Sequence, residues 1–156
     1  MNTPTQLAKH FKEVFFGGNW TCSNLKDTLA DVTWKQATTQ VYNINTIATL
    51  VHHMSYYVTA VLAVLQGAPL NAKDSESFAH PPINNHTDWH NMQAKVWADV
   101  EAFATLLEQL PEPTLWENFT HEKYGNYFRN MNGIIEHTHY HLGQIALLKK
   151  LLQHPA

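Results

Sequence analysis

The chain has 156 residues, enough for one domain (1–156) with a real core. Its hydrophobic fraction of 44% and charged fraction of 15% are those of an ordinary globular protein slightly poor in charge. A net charge of −3, with nine Lys and a single Arg (Arg129), leaves no basic stripe and argues against nucleic acid as a partner. No run approaches about 18 consecutive apolar residues, and Met1–Gln6 lacks the basic-then-apolar build of a signal peptide. No membrane span and a cytoplasmic location are therefore expected.

In chain order, residues 3–16 read as a first helix, with Leu7, Phe11, Val14 and Phe15 at helical spacing and Gly17-Gly18 as its stop. Cys22 follows a turn. As the single cysteine it excludes an internal disulfide and a cysteine-cluster zinc site, and it reads as a small residue near a helix start rather than a nucleophile. Residues 24–29 fit a short connecting helix, and 31–45 lack a period and read as a loop. Residues 45–66 form a strong second helix, with the stripe Ile47, Leu50, Val51, Met54, Val58, Val61 and Leu65. Asn45 or Thr46 can cap it and Gly67 can end it. The stretch 67–85 holds Gly, Pro, Ser and Asn and reads as a long crossover loop. A third helix is expected over 88–110, capped by Thr87 and stopped by Pro111-Glu112-Pro113. Residues 116–126 are ambiguous. Residues 127–153 form a fourth helix, with Met131, Ile134, Ile135, Leu142, Ile145, Leu148 and Leu152 on its core face. Four long amphipathic helices with almost no strand signal predict an all-α, four-helix bundle.

Histidine is the outlier, with 11 in the chain. In Glu136-His137-Thr138-His139-Tyr140-His141-Leu142-Gly143-Gln144, His137 and His141 lie one turn apart on one face, a spacing that presents two imidazoles to one ion. His141 falls inside the apolar stripe and His137 at its edge, whereas His139 points to the other side. Two imidazoles turned toward a core are costly unless their nitrogens are satisfied, and a metal satisfies both. The second helix offers a third ligand in His52 or His53. His53 lies nearer the stripe, beside Leu50 and Tyr57, while His52 shares a wetter side with Ala48, Ser55 and Thr59. Periodicity leaves both open.

Three imidazoles leave a coordination position for water or substrate, the arrangement of a catalytic zinc site. Zinc is the first expectation, and Ni, Cu, Fe and Mn also suit such ligands. Gln144 is placed to support a ligand imidazole. Tyr57 and Tyr140 read as packing residues that can line a pocket. No general base stands out among His52, His90 and Glu136. The H-E-x-x-H pattern is absent, and a di-iron site needs acidic residues that the second helix lacks. There is no glycine-rich phosphate loop and no G-x-S-x-G elbow.

The segment Ile134–Ile145, with its H-x-x-x-H followed by Gly143-Gln144 and an apolar run, resembles the last-helix signature of the DinB-like superfamily. His53-Met54-Ser55-Tyr56 resembles that family's second-helix frame, a His followed by an apolar, a small and an aromatic residue; His52 does not fit it. Gly18-Asn19-Trp20 and Leu25–Leu29 resemble one branch more weakly. The resemblance implies helices in up-down-down-up order, with His53, His137 and His141 binding one divalent metal at one end. It also implies a homodimer and a metal-dependent enzyme acting on a small-molecule substrate. Relatives include bacillithiol-, mycothiol- or glutathione-dependent transferases and isomerases and proteins described as metal-dependent hydrolases. Activation of a low-molecular-weight thiol or of water is the expected chemistry. The alternative is a non-catalytic metal-binding bundle with a binding or stress-response role.

Overall fold

The computed structural model describes residues 2–153 and is helical, with no strand among them beyond one isolated bridge between Asn118 and Asn126. The helices are α1 (Thr3–Phe16), α2 (Leu25–Leu29), α3 (Trp34–Thr38), α4 (Ile47–Leu65), α5 (Asp74–Ser77), α6 (His86–Gln109) and α7 (Tyr127–Gln153). Two 3-10 turns, Glu112–Trp116 and Glu122–Tyr124, lie between α6 and α7, the second of them within the ambiguous stretch.

Side-chain caps start the helices. Thr46 caps α4 through the Thr49 N–H, which decides between the two residues able to cap it. Asn85, not Thr87, caps α6 by accepting the Asp88 N–H, so α6 begins two residues earlier than its apolar stripe suggests. Asn126 accepts the Arg129 N–H at the head of α7. The unpatterned stretch before α4 contains α3, set by a capping box in which Thr33 and Gln36 satisfy each other's backbone N–H groups.

The expected stripes form the core. Leu7, Phe11, Val14 and Phe15 of α1 are buried, as are Val96, Val100, Phe103 and Leu107 of α6 and Met131, Ile134, Ile135, Leu142, Ile145 and Leu148 of α7. Each such side chain contributes about 1.5–3 kcal/mol when fully buried. The rings of Phe11 and Phe103 lie 4.3 Å apart. α1 packs on α6 and α7, and α4 packs on the same two helices. Along α1 and α6, Phe11 meets Phe103, Phe16 meets Trp97 and Lys12 meets Glu101, so these two helices run in opposite directions. The Trp89 indole N–H donates to the Val32 carbonyl at 2.9 Å and fixes the start of α6 on the α2–α3 turn. Lys149 near the end of α7 donates to the Thr28 carbonyl in α2 and pairs with Asp31.

α4 is long and apolar enough to cross a membrane by length and composition alone, but more than half of it is buried inside the protein. Its apolarity is that of a core helix packed on two others.

Candidate metal centre

α4 and α7 bring His53, His137 and His141 together, and among the described residues they form the one group able to hold an ion. One helical turn on α7 sets the His137 and His141 rings 4.5 Å apart. His53, the seventh residue of α4, places its ring 4.9 Å from that of His137 and 4.8 Å from that of His141. His53 and His141 are 6% and 8% exposed, while His137 is half-buried. The three rings meet through their Nε2 atoms. That of His137 lies 3.0 Å from His53 Nε2 and 3.1 Å from His141 Nε2.

The other ring nitrogens show which lone pairs point inward. Ser77 Oγ donates its only proton to the Asp74 carbonyl at 2.7 Å, so at 2.8 Å it accepts from His53 Nδ1–H. His141 Nδ1–H donates to Gln144 Oε1 at 2.7 Å. Both rings therefore carry the proton on Nδ1 and present a bare Nε2. A single proton on His137 Nε2 could satisfy one of these neighbours and leave the other unpaired. A cation satisfies all three at once. Two nitrogens each 2.0–2.1 Å from one ion stand about 2.9–3.4 Å apart for angles from octahedral to tetrahedral. Both separations from His137 fall in that range, and all three nitrogens lie within 4.8 Å of one another, so the group could hold a metal ion.

Electrostatics agree with neutral, metal-ready imidazoles. Burial, followed by the nearby His141 and His53, pushes His137 down to about 4. Burial first and then His141 hold His53 below the usual histidine value, against an opposing pull from Asp74. Aromatic rings wall the group. Phe78 stacks on His53 at 4.1 Å, Tyr57 lies edge-on to His53 and His137, and Tyr140 edge-on to His141.

The remaining sequence candidates go elsewhere. His52 turns away from the cluster toward Tyr56 and His80. His139 faces His10 of α1. His90 stacks on His86 at the exposed start of α6, and Glu136 is exposed. None of the three proposed bases makes a ring or hydrogen-bond contact with the three nitrogens. Cys22 is exposed, with its Sγ near the Trp20 carbonyl. Gln144 does support a ligand imidazole, that of His141.

Ser77, Phe78 and Asp74 are the residues that sequence reasoning missed. Asp74 and Ser77 belong to α5 and Phe78 follows it directly, a single turn inside the 67–85 connection, whose expected reading is a long crossover loop. α5 is moored over α4 by two hydroxyls, Tyr57 donating to Asp74 at 2.8 Å and Tyr56 donating to Glu76 at 3.2 Å. No protein-family model, curated protein or solved structure matches the chain.

Proposed function

We propose that this chain is a metal-dependent enzyme in which His53, His137 and His141 hold one divalent ion, zinc first, for transfer or hydrolysis on a small-molecule substrate. The observation that carries the reading is the convergence of three Nε2 atoms, two of them bared by partners on the opposite ring nitrogen. The reading includes a DinB-like four-helix bundle in up-down-down-up order. Its support is the pairing of α1 and α4 with both α6 and α7, the antiparallel contacts of α1 and α6, and the histidine frames on α4 and α7.

A divalent ion in this setting supplies a Lewis acid that brings bound water or thiol toward its anionic form near neutral pH. Three protein ligands leave a position for the reacting group. The chain's own residues do the rest. Ser77 and Gln144 fix the tautomer and angle of two ligands. Tyr57, Phe78 and Tyr140 give the substrate an aromatic surround that limits water.

The test is conjugation of small thiols to 1-chloro-2,4-dinitrobenzene by protein loaded with zinc or nickel. Activity is expected to need the metal and to vanish in His137→Ala/His141→Ala protein that keeps its helicity. Equal activity in that variant overturns the reading. A metal-binding bundle without chemistry is the second reading, favoured by the close stacking of Phe78 on His53. It predicts a large fall in melting temperature with chelator and no turnover.

A further inference from the structure

A neighbouring face of α4 borders a cavity of about 600 Å³ between α4, α6 and the 67–85 connection. Its α4 wall carries His52 and Tyr56, and the small residues Ser55, Thr59, Ala60 and Ala63 open the space beside them. Across from them stand Met92 of α6 and Ile83 of the connection. The volume lies within the roughly 300–1,000 Å³ of small-molecule sites.

The cavity's polar groups define what it can take. Both of its charged side chains are already matched. Lys95 pairs with Asp99. Asp88 accepts from the Asn84 N–H at 2.9 Å and from the Asn85 amide at 3.0 Å. Tyr56 accepts the Lys73 N–H and donates to Glu76. Thr59 is bonded to Asp99, and Ser55 donates to the His52 carbonyl. What remains is uncharged. The amides of Asn71 and Asn91 at the rim make no hydrogen bond, and His52 in the wall has a buried Nε2 with no partner among the described residues. A charged ligand would meet no free counter-charge here and would pay for its desolvation. An apolar body with a neutral hydrogen-bonding group meets an apolar wall and unpaired neutral partners.

We propose that this cavity is a second ligand site, taking an uncharged, largely apolar molecule of two or three rings. It is separate from the metal centre, because none of His53, His137 and His141 lines it, and it does not depend on the metal reading.

The test pairs two dyes with the same ring system: neutral N-phenyl-1-naphthylamine and its anionic sulfonate, 8-anilino-1-naphthalenesulfonate. Titrated into metal-loaded, full-length protein, the neutral dye is expected to give saturable 1:1 fluorescence enhancement, with the sulfonate at least tenfold weaker. Location is read by NMR of ¹³C-methyl methionine. Of the four methionines, Met92 lines the cavity while Met54 and Met131 are buried in the core, so the neutral dye should shift Met92 and leave those two in place. Ala60→Leu fills the space and should abolish the shift. If that variant loses helicity by circular dichroism, Ala63→Leu serves instead. No saturable shift of Met92, a shift unaffected by the filling variant, or equal binding of the sulfonate overturns the proposal.

Discussion

His52 and His53 are neighbours in sequence, yet α4 places them in two different settings. His53 faces α7 with both ring nitrogens engaged, Nδ1 on Ser77 and Nε2 against His137. His52 lines the cavity with a buried Nε2 that has no partner among the described residues. About 100° of rotation per residue separates them. A buried and a half-buried imidazole thus differ in what surrounds them, one a set of converging nitrogens and the other the rings of Tyr56 and His80 beside the cavity. A histidine is fitted for a metal by the partner on its far nitrogen as much as by its neighbours.

The largest effect expected follows from that contrast. His53→Ala removes one of three ligands. A third of the roughly 10–16 kcal/mol that structural zinc sites supply corresponds to a loss of about 10²–10⁴-fold in metal affinity. His52→Ala should leave affinity within about threefold. Competition titration against a chromophoric chelator measures both. Equal losses in the two variants would erase the distinction.

Next in size are the residues that set the tautomers. Ser77→Ala and Gln144→Leu each remove the acceptor of an Nδ1–H and should weaken metal binding by about 10- to 100-fold, the usual effect of an outer partner. Elemental analysis after dialysis against graded chelator gives the ranking. Ser77→Ala without effect would show that α5 covers the site without tuning it.

The pH dependence of the metal-free protein comes third. His137 titrates near 4 in the folded chain and near 6.5 when unfolded, so between these values the unfolded state binds more protons. Stability is then present above pH 6.5 and is lost as pH falls toward 4. With the half-exposed ring screened by solvent, the loss is about 1–2 kcal/mol. Urea unfolding at pH 7 and pH 4.5 should show this difference, and His137→Phe should reduce it. An undiminished slope in the variant would move the titration elsewhere.

How much of this could be read from the chain depends on how far each relation reaches along it. His137 and His141 are legible because four residues along a helix are one turn in space. The core stripes of α1, α4, α6 and α7 follow from the same arithmetic. His53 over His52 is not settled by spacing, since a helical wheel gives faces and not partners. α3 escapes a search for periodicity because one turn has none, although Thr33-x-x-Gln36 carried a capping signal. α5 is harder still. Asp74-Ser75-Glu76-Ser77 is a polar run with no apolar face, and it becomes a helix turn through tertiary bonds to Tyr56 and Tyr57. Ser77 lies 24 residues from His53 in sequence, a pairing that only the fold creates.

The smallest effects test whether the two sides of α4 are independent. Tyr56 and Tyr57 moor the same turn from adjacent faces of α4, Tyr56 from the cavity side and Tyr57 from the metal side. Tyr57→Phe removes one donor to an exposed carboxylate and should cost about 0.5–1 kcal/mol. Tyr56→Phe also removes the acceptor of the Lys73 N–H and should cost about 1–1.5 kcal/mol. Ser77 keeps its own bond to the Asp74 carbonyl in both variants, so metal affinity should fall by less than about threefold, well short of Ser77→Ala. Calorimetric melting reads the first quantity and chelator competition the second. A Tyr56→Phe protein that loses metal as readily as Ser77→Ala would mean that α5 transmits what happens in the cavity to His53, and the two faces of α4 would then act as one site.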